Sequence, residues 1–326
     1  MLGFAMGLGI KPFTQGLHEL ANGGYAWLQP DGGWGWSNAG LIVDGDVSLV
    51  ADTLFDKRLT SDMLAAMKNA EYAATHSFNF LVNTHANGDH CNGNELVHGA
   101  EIIASQACLE ELSAENPEMM HKLMQAAPGM GEVGEFFLHC FSAFDFEGIN
   151  RTLPSRTFSG ALDLLVGDKP VHLRQVGPAH TKGDVLVYVP GDKTMFTGDI
   201  LFIEGHPILW AGPVSNWIDA CDYMLALELE TIVPGHGPIT DHRGVKALQG
   251  YLIYVRDEAK KRFDAGMSVM DATLDINLID YDSWGDAERI VINVATLYKE
   301  FANDPEPNNI TELFALMAQL HKDRRH

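Results

Sequence analysis

Three side chains of metal-binding types lie within six residues of one another, in the segment Asn-Thr-His-Ala-Asn-Gly-Asp-His-Cys at positions 83–91. They are His85, Asp89 and His90. Imidazole nitrogens and carboxylate oxygens together suit zinc, iron or manganese. We interpret Cys91 as a small buried residue rather than a ligand. A site without cysteine ligands favours a catalytic zinc over a structural one.

Three later motifs supply residues of the same kinds. His180 lies in Pro-Ala-His-Thr-Lys-Gly-Asp (178–184), Asp199 ends Phe-Thr-Gly-Asp (196–199), and His236 lies in Pro-Gly-His-Gly (234–237). Each motif adjoins an apolar run that predicts a strand, and each contains a glycine, which allows close approach of the backbone. The motifs therefore predict a metal centre at a set of strand ends, where α/β folds place functional loops.

Strands and helices alternate over roughly the first 240 residues, as judged from apolar periodicity. Short apolar runs separated by Gly, Asn and Asp predict β-hairpins in residues 17–52, and a strand over 78–83 leads into the first motif. Further strands are predicted at 101–104, 162–166, 171–176, 184–189, 194–197 and 231–233. Helices are predicted at 59–74, with Thr60 or Ser61 as the N-cap, and at 92–98, 105–115 and 215–229.

The chain divides into three predicted segments. Residues 1–16 form a leader segment, residues 17–243 form the main domain, and residues 244–326 form a helical extension packed on it. The extension is predicted as helices at 245–264, 268–276, 284–302 and 309–322, which cover the core or build a dimer interface. Residues 116–150 of the main domain are rich in Met and Phe and predict a helical insert, which either packs as ordinary core or forms a substrate lid.

Composition restricts the partners and the compartment. The formal net charge is −22, which argues against nucleic-acid and anionic-membrane partners because both require clustered Lys and Arg. The four cysteines show no paired spacing, which fits a reducing, cytoplasmic compartment. No apolar run is long enough to predict a transmembrane helix.

The order of these motifs resembles the metallo-β-lactamase superfamily, which carries His-x-His-x-Asp-His followed by a distant His, Asp and His. The resemblance covers about residues 17–240. It implies an αββα sandwich of two mixed β-sheets with helices outside and a metal centre at one sheet edge. By position it implies a first metal site with His85 and His180, a second with Asp89, His90 and His236, and Asp199 as a bridge between them.

One position departs from the family pattern, because Asn87 stands where the family has its second histidine. An amide oxygen is a weaker zinc ligand than imidazole. We therefore expect one tightly bound zinc ion at the second site, with iron or manganese as alternatives. Two interpretations of the first site stay open. Either His85, Asn87 and His180 contact substrate or hold a water, or a second, looser ion binds there.

This site predicts metal-dependent hydrolysis. The ion lowers the pKa of a bound water towards neutrality and polarises the substrate. Asp89 is the predicted orienting residue and proton acceptor, and His180 or Asn87 is predicted to stabilise developing negative charge. Asp52, at the end of a predicted strand, is the candidate for orienting a ligand histidine.

Tryptophans near the motifs predict the substrate pocket. Trp34 and Trp36 lie in the Gly-rich segment 31–36, and Trp210 follows Asp199. These side chains suggest a wall for an apolar substrate, although a hairpin tip packed on the insert explains Trp34 and Trp36 equally well. Trp217 and His206 are further candidates for facing the site. Arg289 is predicted to form a structural ion pair.

The predicted function is that of a soluble zinc hydrolase acting on a small, fairly apolar molecule, without nucleic-acid or membrane partners and with a homodimer as one assembly. Candidate bonds are those of an ester, lactone, thioester, amide, sulfate ester or aryl halide. Two alternatives have different chemistry. One is an iron-dependent dioxygenase or oxidoreductase on the same fold, and the other is a non-catalytic metal-binding protein.

Overall fold

Two mixed β-sheets form the centre of the computed structural model, which describes residues 7–116 and 118–324. Within those residues the first sheet has seven strands in chain order, antiparallel from the first strand to the fourth and parallel from the fourth to the seventh. Its strands are β1 (Gly16–Glu19), β2 (Gly24–Leu28), β3 (Ala39–Asp44), β4 (Val47–Ala51), β5 (Phe80–Val82), β6 (Glu101–Ser105) and β7 (Arg156–Phe158).

The second sheet has five strands within the same described residues, in the order β12-β11-β10-β9-β8. Four of them pair antiparallel, and only β11 and β12 pair parallel. The strands are β8 (Ala161–Val166), β9 (Lys169–Gln175), β10 (Val185–Val189), β11 (Thr194–Phe196) and β12 (Thr231–Val233). The predicted hairpins and strands are confirmed to within a few residues, whereas β7, a short half-buried strand, was not predicted.

The two sheets pack through their inner faces, and side chains alternate between that interface and the outer helices. Ile42 and Leu49 face the inter-sheet cluster, whereas Leu41 and Val50 belong to the cluster that includes the helices. Strands buried on both faces explain why these segments read as continuous apolar runs. At Gly40 a Cβ atom would lie 2.2 Å from the Phe196 ring of the other sheet, so this position requires glycine for the sheets to approach.

Helices cover the outer faces of the sheets. They are α1 (Lys57–Ala70), α2 (Tyr72–Thr75), α3 (Gly88–Cys91), α4 (Gln106–Ala114), α5 (Met119–Ala126), α6 (Gly131–Phe141), α7 (Val214–Leu225), α8 (His242–Asp264), α9 (Val269–Asp275), α10 (Ile290–Ala302) and α11 (Ile310–Asp323). Short 3₁₀ turns lie between them, including Asn94–Leu96 and Ala287–Arg289. The predicted αββα sandwich with a helical insert and a helical C-terminal part is confirmed.

Two helix predictions need correction. The helix predicted at 59–74 is two helices, and Asp56 rather than Thr60 or Ser61 caps the first, accepting a hydrogen bond from the Leu59 backbone N–H at 2.7 Å. The helix predicted at 92–98 is instead the single turn α3 followed by a 3₁₀ turn, so Asp89 and His90 themselves lie on a helix.

The insert and the C-terminal helices pack on each other as well as on the sheets. The ring of Phe136 on α6 lies 4.9 Å from that of Phe314 on α11. Helices α8, α10 and α11 share one buried apolar cluster with α7. Part of the predicted leader, residues 1–6, lies outside the described residues, and Ile10 donates a backbone hydrogen bond to Ile239. Among the helices of the described chain, none has the length and apolarity to cross a membrane.

Candidate metal centre

The motif residues meet at one edge of the sandwich. His85 follows β5, and Asp89 and His90 lie on α3 directly after it. His180 lies in the loop between β9 and β10, Asp199 follows β11, and His236 follows β12. All six predicted ligand residues are buried or nearly so, with Asp89 the most exposed at 9%. The structure therefore brings together every predicted ligand.

His85 and His90 are oriented by a shared network. The Asp52 carboxylate accepts from Nδ1 of His90 at 2.9 Å and from the Thr84 hydroxyl at 2.7 Å. Because the Thr84 hydroxyl donates its hydrogen bond to Asp52, its oxygen accepts one from Nδ1 of His85 at 3.0 Å. Both imidazoles then have an unprotonated Nε2 available as a metal ligand.

The other two histidines are oriented by backbone carbonyls. Nδ1 of His180 donates to the Ile208 carbonyl at 2.7 Å, and Nδ1 of His236 donates to the Gly32 carbonyl at 3.0 Å. A carbonyl only accepts, so it fixes the tautomer with the proton on Nδ1. All four histidines thus present Nε2 towards the same place.

Asp52 adopts an unusual backbone conformation at this position. Its φ angle is +65°, in the left-handed region that favours glycine. The carboxylate also accepts from the Thr84 backbone N–H at 2.7 Å, which makes a third hydrogen bond to a buried side chain. Asp52 contacts a candidate metal ligand, and an unfavourable backbone conformation at such a residue points to a functional constraint.

The second site has separations near those of a zinc centre. Nε2 of His90 lies 3.0 Å from Oδ1 of Asp199 and 3.9 Å from Oδ2 of Asp89. Nε2 of His236 lies 3.3 Å from Oδ2 of Asp89 and 3.5 Å from Oδ1 of Asp199. Ligands about 2.0–2.1 Å from a tetrahedral zinc ion lie roughly 3.3 Å from one another, and these four separations lie around that value.

Several polar atoms at the centre have no hydrogen-bond partner among the described residues. They are Nε2 of His85, Nε2 of His90 and Oδ1 of Asp199, all buried. Buried polar atoms are normally satisfied, and exceptions call for an explanation such as an ion. Imidazole nitrogens and carboxylate oxygens that point to one place can together bind a divalent cation. These residues therefore fit the metal that the motif predicts.

The centre is electrostatically prepared for a cation. Although burial opposes ionisation, the imidazoles of His236 and His90 hold the pKa of Asp199 well below its ordinary value. Although burial favours the neutral imidazole, the carboxylate of Asp199 raises the pKa of His236 to about 9. The carboxylates therefore stabilise positive charge at the centre. In the metal-free protein that charge comes from protonated histidine, and in the metal-bound protein it would come from the ion.

The first site is less regular than the second. Oδ2 of Asp199 lies 3.3 Å from Nε2 of His180 and 3.8 Å from Nε2 of His85. Groups of three possible ligands whose atoms all lie within 4.8 Å of one another are His85 with His90 and Asp199, and Asp89 with His90 and His236. Within residues 7–116 and 118–324, no such group includes His180.

Asn87 contacts His180 directly, since its amide oxygen lies 2.7 Å from Nε2. Burial lowers the pKa of His180 to about 4, so Nε2 carries a lone pair at neutral pH. Oxygen and nitrogen lone pairs at this distance are compatible only around a cation. In the metal-free protein the amide is therefore turned so that its N–H₂ donates to Nε2.

The backbone of the loop that carries His236 packs directly against Asp199 at Gly235. A Cβ atom at Gly235 would lie 2.0 Å from Oδ1 of Asp199 and 2.6 Å from the Gly198 carbonyl carbon. The obstacle is backbone and a ligand oxygen rather than a flexible side chain. Glycine is therefore required in Pro-Gly-His-Gly for His236 and Asp199 to share a site.

A cavity of about 560 Å³ opens above the centre. Asn87, Asp89, His180, Asp199 and His236 line its floor. Its walls are mostly apolar and come from the 31–36 segment, the turn after β4, the insert and the segment after Asp199. The apolar lining residues are Trp34, Phe55, Met119, Met120, Phe141 and Trp210. This volume suits a small-molecule substrate.

The predicted pocket residues separate into two groups. Trp34 and Trp210 line the cavity, whereas Trp36 does not and instead packs 4.7 Å from the Phe144 ring of the insert. Trp217 is fully buried, donates from Nε1 to the Ile200 carbonyl and backs the His180 ring. His206 is likewise outside the cavity and contacts the Tyr251 hydroxyl at 3.1 Å.

The model of the metallo-β-lactamase superfamily matches residues 32–236, which hold all the motifs described above. The chain belongs to this superfamily. No curated protein matches the chain. A metallo-β-lactamase from Pontibacter korlensis has a similar structure, with a TM-score of 0.54 and 17% identity over 74% of this chain and 99% of its own.

A second superfamily structure extends further along the chain. It is the stereoselective inverting sec-alkylsulfatase Pisa1 from Pseudomonas sp., with a TM-score of 0.62 and 14% identity over 91% of this chain. The match covers 52% of the sulfatase, so this chain spans about half the length of that protein. At such identities the likeness concerns the superfamily fold.

Sequence reasoning missed several residues of the cavity in this superfamily member. Phe55 follows β4, Met119 and Met120 begin α5, and Arg151 and Arg289 come from distant parts of the chain. The Met- and Phe-rich composition of 116–150 was a signal for the insert residues. No local pattern marks Arg289, because only the packing of the C-terminal helices brings it to the cavity.

Proposed function

We propose that this protein is a metal-dependent hydrolase of a small, fairly apolar molecule, with zinc as the metal. One observation carries the proposal. The imidazole nitrogens of His90 and His236 lie 3.0–3.9 Å from the carboxylate oxygens of Asp89 and Asp199 across the second site, at the floor of a largely apolar cavity. Such a site combines a metal-binding donor set with space for a substrate.

The residues of the site have distinct roles in this proposal. When bound, the ion would supply Lewis acidity and an activated water. Asp89 lines the cavity. In this proposal it orients the attacking water and accepts its proton. Asn87 and His180 also line the cavity, on the side of the first site. The amide hydrogens of Asn87 stabilise negative charge developing on the substrate, and Nε2 of His180, which carries a lone pair, fixes the orientation of that amide. Asp52 positions His90.

We further propose that one metal ion is sufficient. Two features support this. The contact between Asn87 and His180 engages the Nε2 lone pair that a first-site ion would need, and among the described residues His180 belongs to no group of three possible ligands whose atoms lie within 4.8 Å of one another. A looser second ion with Asn87 as ligand is the competing interpretation. Metal analysis after dialysis distinguishes them, since two equivalents of zinc per chain would refute the one-metal proposal.

The candidate bonds follow from the cavity and from the related structures. Its apolar walls favour an aromatic or aliphatic body on the substrate. Esters, lactones, thioesters, amides, sulfate esters and aryl halides were predicted from the sequence, and the lactamase and sulfatase likenesses support the amide and the sulfate ester among them. We propose a cytoplasmic homodimer, and the four free, buried cysteines support a reducing compartment.

The test is an activity screen over these bond classes with the metal content measured in the same samples. Asp89→Ala and His236→Ala should lose bound zinc and turnover together. His172→Ala serves as a matched control, because His172 lies on β9 with 42% of its side chain exposed, away from the centre. Full turnover in either ligand variant would reject the proposal.

The same samples test the alternative chemistry. A histidine and carboxylate donor set also suits iron. Protein that purifies with iron, shows its electron paramagnetic signal and consumes dioxygen would replace the hydrolase with an oxygenase or oxidoreductase. Protein that binds no metal and turns over nothing would indicate a non-catalytic role.

A further inference from the structure

Two arginines reach the cavity, and their surroundings differ. Arg151 pairs with Glu115 at 3.1 Å, and both residues line the cavity wall. Arg289 pairs with Asp286 at 2.9 Å, but Asp286 is not among the lining residues. The carboxylate that pairs with Arg151 therefore lines the cavity, whereas the carboxylate that pairs with Arg289 does not.

Arg289 is buried to an extent unusual for a charged residue, with 2% of its side chain exposed. One terminal nitrogen donates to the His206 carbonyl at 2.9 Å and the other pairs with Asp286. The buried Nε has no partner among the described residues. A guanidinium presents five N–H donors, so this arrangement leaves donor capacity on a side chain that lines the cavity.

Aromatic rings hold the guanidinium in place. Its carbon lies 4.4 Å from the Trp34 ring centre and 5.3 Å from that of Phe202. Trp34 is itself fixed by donating from Nε1 to Glu288 at 2.9 Å. Phe202 stacks in turn on His236, with ring centres 5.1 Å apart. Arg289 thus lies one aromatic ring away from a candidate metal ligand, in a rigid position.

We propose that Arg289 binds an oxyanion group, a carboxylate or a sulfate, carried by the substrate at a point remote from the bond that is cleaved. The proposal deepens the hydrolase proposed above and rests on it. The apolar body of the substrate lies between the metal centre and Arg289, against Trp34 and Phe202. Planar, pre-positioned guanidinium groups suit such oxygens better than ammonium groups do. The C-terminal part of the chain would then determine specificity.

Binding of simple probes tests this without requiring turnover. Benzoate, phenyl sulfate and the neutral benzamide are titrated calorimetrically into the metal-free and the zinc-loaded protein. We expect the metal-free protein to bind the two anions about tenfold or more tightly than benzamide, as a charge-assisted hydrogen bond in a desolvated site provides. The relative affinity of benzoate and phenyl sulfate identifies the preferred oxyanion.

Three variants test whether Arg289 causes the preference for the anions over benzamide. Arg289→Gln should reduce it to about one, and Arg289→Lys, which keeps the charge but loses the fork and Nε, should give an intermediate value. Arg256→Gln is the matched control, since Arg256 lies on α8 and pairs with its neighbour Asp257 on the surface. A purely structural role for Arg289 would weaken anionic and neutral probes alike and leave their ratio unchanged.

Each outcome of these titrations either supports or overturns the role of Arg289. An unchanged ratio in Arg289→Gln, or in Arg289→Lys where the first variant does not fold, overturns the proposal. So does a wild-type protein without anion preference, or one that binds anions only through zinc and independently of Arg289. Arg289-dependent anion binding without hydrolysis of any ester, amide or sulfate would instead reject the hydrolase and leave the anion site standing.

Discussion

Replacing Asp52 by asparagine removes one negative charge from the support of His90 while keeping the shape of the side chain. The Asp52 carboxylate accepts three hydrogen bonds, two of them from Thr84 and one from Nδ1 of His90 at 2.9 Å. A hydrogen bond to a charged group contributes about 1.5–3 kcal/mol and a neutral one about 0.5–1.5 kcal/mol. The substitution should therefore weaken the hold on His90 by about 1–1.5 kcal/mol.

That energy corresponds to a zinc affinity reduced about tenfold. Asp52→Ala, which removes all three hydrogen bonds, should approach the hundredfold upper end of the range seen when a partner of a metal-ligating histidine is lost. The measurement is a competition with a chromophoric chelator of known zinc affinity at pH 7.5. Thermal unfolding of the metal-free variants, followed in parallel, separates ligand orientation from general destabilisation.

Asp56 provides the matched control. It is also a fully buried aspartate, but it caps α1 and contacts the backbone of Leu59 and Asp145 rather than a ligand histidine. Asp56→Asn should lower stability and leave zinc affinity unchanged. Wild-type zinc affinity in Asp52→Asn, or an equal loss in Asp56→Asn, would refute the reasoning that Asp52 acts through His90.

Three further predictions follow from the described geometry. Asn87→His supplies a strong donor at the first site and should raise bound zinc from about one to about two equivalents per chain after dialysis; an unchanged content would contradict the role given to Asn87. Gly235→Ala forces a Cβ atom to within 2.0 Å of Asp199 and should abolish tight zinc binding, whereas Gly250→Ala, with open space around it, should not. Burial, with the charges of Arg324 and Arg289, lowers the pKa of His206 to about 3, so the unfolded chain takes up its proton first as the pH falls. The free energy of unfolding should therefore drop by about 2.3 kcal/mol between pH 6.5 and pH 4.5 through His206, and urea unfolding of His206→Asn should lack this part of the pH dependence.

The candidate ligands were predictable because their motifs adjoin strands of largely apolar sequence. β5, β11 and β12 are three-residue strands, yet the runs Phe-Leu-Val, Thr-Met-Phe and Thr-Ile-Val stand out against the glycine-rich loops that follow. The hairpins were predictable for the related reason that Gly23 and Gly45 adopt positive φ angles where turns require them. These signals are local, so one sequence is sufficient to read them.

The cavity was less predictable because its walls depend on tertiary contacts. Trp34 and Trp36 are two residues apart in a loop, and nothing in their sequence tells which one faces substrate and which one packs on Phe144. Arg289 was interpreted as a structural ion-pair former, and the pair with Asp286 confirms the contact. Its position at the cavity depends on how α10 and α11 pack on the sandwich, which periodicity does not encode.

The four histidines show how the fold prepares the metal centre before any ion binds. Each Nδ1 proton is engaged by an acceptor from a different part of the chain: Thr84 after β5, Asp52 after β4, Ile208 after Asp199, and Gly32 in the tryptophan segment. Since these acceptors belong to the sandwich and its tight loops, the direction of each Nε2 lone pair is set by folding rather than by coordination. A centre built in this way loses little conformational entropy on metal binding, so weakening one acceptor should reduce metal affinity without unfolding the protein. That separation of affinity from stability is what distinguishes a prepared site from one that the metal itself assembles.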